Sequence, residues 1–155
     1  MKAISLGRGG VIVFIAGLMM PSEVLAASCQ VSASAISFGT FSPLTQDFVD
    51  STGNITVNCT DVAGYSIALS MGNGTYSLRS MISGGHTLEY NLYRDAAHQQ
   101  VWGDGSSGDN YVVTAINPVD GQNYVHTVYG RISLITRRGI NAGTYTDTIS
   151  IIVNY

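Results

Sequence analysis

The sequence predicts an all-β sandwich. Three observations carry that expectation: apolar and polar residues alternate with a period of two through most of residues 55–155, Gly-, Asn- and Asp-rich turns punctuate the alternation at short intervals, and no helical apolar stripe interrupts it. The chain has 155 residues, 45% hydrophobic and only 11% charged, which suits one domain with a sizeable core and excludes a disordered polyelectrolyte.

The first element is a leader. Lys2 and Arg8 precede the apolar run Val11–Met20, followed by Pro21 and the small-residue stretch Val24-Leu25-Ala26-Ala27, the layout of a secretory signal peptide. The run is about half of the ~20 apolar residues a spanning helix needs. Cleavage is expected after Ala26, giving a leader of residues 1–26 and a domain of residues 27–155. A lipoprotein signal places Leu three residues before its Cys, whereas Leu25 stands four before Cys29, which argues against lipidation. The remaining 129 residues contain no lysine and set five arginines against nine carboxylates, a formal charge of −4 that supplies no basic patch for nucleic acid or anionic lipid.

Cys29 and Cys59 are the only cysteines. In an exported chain they read as one structural disulfide, worth about 3 to 4 kcal/mol by loop-closure entropy. A metal pair or redox thiol would want CxxC spacing or nearby His ligands, and neither is present.

The strands follow in order. Ile55, Val57 and Cys59 alternate with Thr56 and Asn58; then come Tyr65, Ile67, Leu69 and Met71, then Leu88, Tyr90 and Leu92, then Tyr111, Val113 and Ala115. Turns are expected at Asn73-Gly74, Gly84-Gly85, Gly103-Asp104-Gly105 and Asp120-Gly121. The two longest runs, residues 124–135 and 145–155, are expected to form a hairpin or adjacent pair through Gly139–Gly143. Tyr145, Asp147, Ile149, Ile151, Val153 and Tyr155 fall on one face of the last strand. That strand runs to the final residue, with nothing after it to cover its neighbour. An immunoglobulin-like sandwich ending one strand early exposes a groove and an unpaired edge, which invite another chain to add a strand.

Catalytic and ligand-binding signals are weak. Gly103–Gly108 fits GxGxxG letter for letter, but no helix follows it, so it reads as a glycine-rich loop. Asp109 replaces the last Gly of a GxSxG string, and Asp104 and Asp109 lack EF-hand spacing. His86, His98 and His126 occur singly, without ligand spacing. No catalytic, cofactor or metal residue is assigned, and no small-molecule substrate is expected. Trp102, Tyr90, Tyr93, Tyr111 and Tyr129 are an aromatic surface or, for about half of them, core. Glu89 and Arg94 fall on opposite faces and suggest no site, and Arg137-Arg138-Gly139 reads as a solvated loop tip. Asn54, Asn58 and Asn73 fit the glycosylation pattern, which carries little weight here.

Nine spaced blocks, in one order, resemble a known family. They are Cys29-Gln-Val31, Phe38-Gly39, Thr52–Cys59, Arg79-Ser-Met81, Leu88–Asp95, Val101-Trp-Gly103, Val128-Tyr-Gly-Arg131, Ala142–Asp147 and the strand running on to Tyr155. Together they resemble the spore coat protein U domain, shared with subunits of archaic, Csu-type chaperone-usher pili. The resemblance implies an incomplete, pilin-like immunoglobulin sandwich, completed first by a periplasmic chaperone and then, on the outer-membrane usher, by the neighbouring pilin-like subunit. It implies a chaperone and donor-strand interface at Thr148, Ile149, Ser150, Ile151, Ile152, Val153, Asn154 and Tyr155, with the terminal carboxylate as an anchor. It also implies transit through the periplasm to the cell surface, an extracellular fibre or a coat.

One departure matters. Polymerising relatives carry a donor segment ahead of the first cysteine, whereas cleavage after Ala26 leaves only Ala27 and Ser28 before Cys29. Such a chain accepts a strand without giving one. The leading reading is thus a structural, non-enzymatic subunit of a pilus or coat. The alternatives are a tip adhesin using the 71–87 and 101–110 loops, a hydrolase, or a coat protein that completes its own sandwich with Val31–Phe38.

Overall fold

The computed structural model describes residues 26–42, 48–106, 108, 110–132 and 140–155. Among them are the strands β1 (Ser28–Ala33), β2 (Val49–Thr60), β3 (Gly64–Leu69), β4 (Asn73–Gly74), β5 (Arg79–Ser83) and β6 (His86–Tyr93). After these come β7 (Val101–Trp102), β8 (Asn110–Tyr111), β9 (Val113–Ile116), β10 (Asn123–Ile132) and β11 (Ile151–Asn154). The larger sheet runs β1-β2-β10-β6-β5-β4, with β7 and β8 appended to β6, and the smaller runs β11-β3-β9. All pairings are antiparallel except the short β7–β8 contact.

The alternation read from the sequence becomes the core. Ile55, Val57 and Cys59 of β2, Leu88, Tyr90 and Leu92 of β6, and Val128 and Ile132 of β10 face Tyr65, Ile67 and Leu69 of β3, all buried. Trp102 is fully enclosed and donates its indole N–H to the Ile67 carbonyl at 2.9 Å. A buried side chain of this class contributes about 1.5–3 kcal/mol, so the core is the main source of stability. The Gly84-Gly85 turn joins β5 to β6 with both residues at positive φ, 52° and 86°, the two-residue hairpin geometry that glycine adopts without strain.

Four expectations need correction. The last two long runs are not neighbours: β10 already has β2 on one side and β6 on the other, so the final segment joins the opposite sheet beside β3. Nor is that segment one regular strand. Thr146 exchanges backbone bonds of 2.8 and 3.2 Å with Ile82 of β5, whereas Ile151–Asn154 pair with β3. The switch of sheets falls at Asp147, whose carboxylate takes the N–H groups of Thr148 and Asn73 in place of a ladder. Asn73-Gly74 is not the turn but β4, paired with Ser80 and Arg79; the chain reverses instead at Thr75–Leu78 through reciprocal bonds of 3.0 and 3.2 Å. Tyr111 is separated from Val113 because the Val112 carbonyl accepts a hydrogen bond from Arg94. The leader up to residue 25 and Arg137-Arg138-Gly139 lie outside the described residues.

Candidate functional site

A long apolar cleft opens between the segment that follows β1 and the segment that leads into β11. One part, of about 590 Å³, lies between Ile36–Phe41 and Ile140–Tyr145, over Met81, Leu88 and Ile132. The next, of about 390 Å³, lies between Ala33–Ile36 and Tyr145–Asp147, Ile149 and Ile151, over Ile55, Leu69, Tyr90, Leu92 and Val128. Its floor is built from side chains of the sandwich core, which stay buried beneath it.

The rim of the cleft is a free strand edge. Burial alternates strictly from Thr144 to Asn154, with odd-numbered residues half-buried toward the cleft and even-numbered ones exposed. The Ser70 N–H to Ser150 carbonyl bond, 2.9 Å, sets the ladder register with β3. In an antiparallel pair, bonded positions alternate with unbonded ones. Ser150, Ile152 and Asn154 therefore point their backbone groups at β3, while Ile151 and Val153 point theirs away from it. Among the described residues, β11 has no second neighbour in its sheet. An unpaired edge beside an apolar trough offers main-chain hydrogen bonds and side-chain pockets together.

Polar side chains hold the rim in place. Asp147 accepts the Tyr90 hydroxyl at 2.6 Å and the Asn73 side-chain amide at 2.9 Å. Burial, reinforced by Asp147, pushes the Tyr90 phenol far above its ordinary range, so it stays a donor. Behind it Arg79 is fully buried, donating to the Ser70 carbonyl at 3.1 and 2.9 Å, to Asn91 Oδ1 at 2.6 Å and to the Trp102 carbonyl at 2.7 Å. Burial pushes the guanidinium below its usual range, opposed by Tyr90, Tyr76 and Asp147. Asn91 extends the network to the Tyr76 and Ser77 carbonyls. The sequence offered Arg79 only as part of a motif; an arginine among apolar strand residues was the available signal for a buried anchor.

Among the interface residues expected from sequence, Ile149 and Ile151 line the cleft and Val153 continues their face. Thr148, Ser150, Ile152 and Asn154 face outward, and Tyr155 is exposed at the end. Most of the cleft wall is instead Ile140–Asp147 and residues 33–41, which the sequence reading did not assign to the interface. Cys29 and Cys59 are joined by a disulfide and sit opposite one another in the β1–β2 ladder.

The three histidines stay apart. His126 meets the Tyr65 hydroxyl at 2.8 Å, His86 meets Asn141 at 2.7 Å, and His98 stacks edge-on against Tyr93 and Tyr129. Among the described residues no three His, Cys, Asp or Glu side chains cluster as metal ligands. The Gly103 loop leads into β8, not a helix.

The model of the Spore Coat Protein U domain matches residues 16–152. The chain belongs to the Spore Coat Protein U domain family. The match covers the cleft, the disulfide and the first half of β11, and it begins inside the expected leader. No curated protein matches. Among solved structures, the chain is similar to one from the CsuC-CsuE chaperone–tip adhesion subunit pre-assembly complex of archaic chaperone-usher Csu pili of Acinetobacter baumannii. The TM-score is 0.59 at 20% identity, over 84% of this chain and 40% of that one. This chain thus spans about two fifths of that neighbour's length, and the likeness is one of fold.

Proposed function

We propose that this chain is a structural subunit of a surface assembly, a pilus or coat, that is exported by residues 1–26 and completed by a strand from another protein. The observation that carries this reading is the unpaired outer edge of β11 beside the open apolar cleft. A periplasmic chaperone would supply the strand first, and a neighbouring subunit would replace it on an outer-membrane usher. Family membership and the fold shared with a chain of a Csu chaperone–subunit complex support that route. The short stretch between the expected cleavage site and Cys29 supports a role as strand acceptor only. The function rests on assembly and requires no catalytic group. A second reading, adhesion through one end of the sandwich, draws on Ile116 and Val119, which are 82% and 60% exposed.

Two proline substitutions test the acceptor edge. The Val153 N–H faces the free edge, so Val153→Pro leaves the β3 ladder intact while removing a donor from the docking face. The Asn154 N–H faces β3, so Asn154→Pro damages the fold itself. The expected result is a folded Val153→Pro chain that no longer forms a complex with the chaperone. Complex formation at the native level by Val153→Pro would overturn the reading.

A further inference from the structure

The cleft is not empty along its length. Ile36 and Phe38 line both of its parts, together with Met81 and Tyr145. They stand where the two parts meet, midway along the path that a strand docking beside residues 140–151 would follow. We infer that residues 34–41 form a strap that gates the cleft: it covers the middle of the acceptor path in the free chain and yields when a strand docks. The inference rests on the strand-acceptor reading and adds its regulation.

Two glycines receive the strap. Gly53 of β2 and Gly130 of β10 face inward on adjacent strands. A Cβ at Gly53 would lie 2.7 Å from Ile36 Cγ1, and one at Gly130 would lie 2.9 Å from Phe38 Cζ. Both notches exist only because a side chain is missing, and the strap fills them. Phe38 also meets the Tyr90 ring edge-on, with centroids 6.1 Å apart.

The strap's hold is almost wholly through side chains. The last regular backbone tie to β2 is the Ser34 N–H to the Asn54 carbonyl, 2.9 Å. Beyond it, among the described residues, the strap's backbone receives only the Ser51 hydroxyl, on the Ser37 carbonyl at 2.6 Å. Ile36, Phe38 and Phe41 remain half-buried. A segment fixed by apolar knobs and no ladder can leave without breaking a sheet, whereas β1 before it is paired from Ser28 to Ala33.

A gate that must open lowers apparent affinity by the fraction of chains that are closed. Removing a knob should therefore tighten strand binding. The experiment uses the mature chain and a synthetic peptide of about eleven alternating Val and Thr residues, with affinity read by Trp102 fluorescence and docking by hydrogen exchange at residues 145–153. Phe38→Ala and Ile36→Ala should each tighten binding about tenfold, the factor expected when one half-buried apolar contact no longer opposes opening. Phe38→Leu, a milder change in case Phe38→Ala does not fold, should give a smaller gain. Weaker or unchanged binding by the knob variants, with residues 145–153 still protected by peptide, would make the strap a fixed wall and overturn the gate while leaving the acceptor reading intact. Absence of protection at 145–153 in every chain would remove the acceptor reading, and the gate with it.

Discussion

Arg79 is the side chain whose loss the structure prices most directly. It is fully buried, and its guanidinium supplies the hydrogen bonds to the Ser70 and Trp102 carbonyls that keep the 70–78 segment and β7 against β6. Replacing it with Met keeps the volume and leaves both carbonyls without their donor. Asn91 Oδ1 is less affected, because it also accepts the Leu92 N–H at 2.9 Å. Each orphaned buried acceptor costs about 1–3 kcal/mol, so Arg79→Met should lose about 4 kcal/mol. With a urea m-value of about 1.5 kcal/mol/M, the midpoint should fall by between 2 and 3 M. Trp102 is the single tryptophan and lies in the same network, so its fluorescence reports the transition. Arg79→Lys should lose about half as much, since an ammonium reaches fewer of these acceptors. A loss for Arg79→Met below about 1 kcal/mol would mean that the Ser70 and Trp102 carbonyls do not depend on the guanidinium.

Two further outcomes concern stability. Replacing both Cys29 and Cys59 with Ser should cost about 3 to 4 kcal/mol, measured by urea unfolding against the oxidised chain; a cost below about 1 kcal/mol would mean that the unfolded chain is barely constrained by the bond. Burial holds the His126 imidazole below its usual pKa, so the unfolded chain binds the proton more readily than the folded one. Stability from this site is then full above about pH 6.5 and declines as pH falls toward the lower folded-state value. His126→Gln should flatten that part of the pH profile, and an unchanged slope would contradict the assignment.

The core was legible because burial imposes a period of two: Ile55, Val57 and Cys59, or Leu88, Tyr90 and Leu92, announce their face without any tertiary knowledge. The partner of each strand was not, because periodicity says which side is buried and nothing about which neighbour buries it. That is why 124–135 and 145–155 read as a pair, whereas β10 and β11 lie in opposite sheets. Asn73-Gly74 carries turn chemistry, yet β5 recruits it as a strand, since Thr75–Leu78 makes the reversal. At the candidate site, the half-buried face of residues 145–153 could be read directly. The opposite wall could not: Ile36 and Phe38 matter because of the missing side chains at Gly53 and Gly130, which lie 17 and 92 residues away in sequence.

In the proposed assembly this sandwich is finished by a strand from another chain. The most direct test is periplasmic expression of the mature chain with and without a chaperone of the same assembly system, followed by size-exclusion chromatography of the soluble fraction. A 1:1 complex with the chaperone is expected, with a lower yield of a less stable soluble chain when the chaperone is absent. A monomer recovered equally well in both cases, with no chaperone complex formed, would count against completion by a borrowed strand.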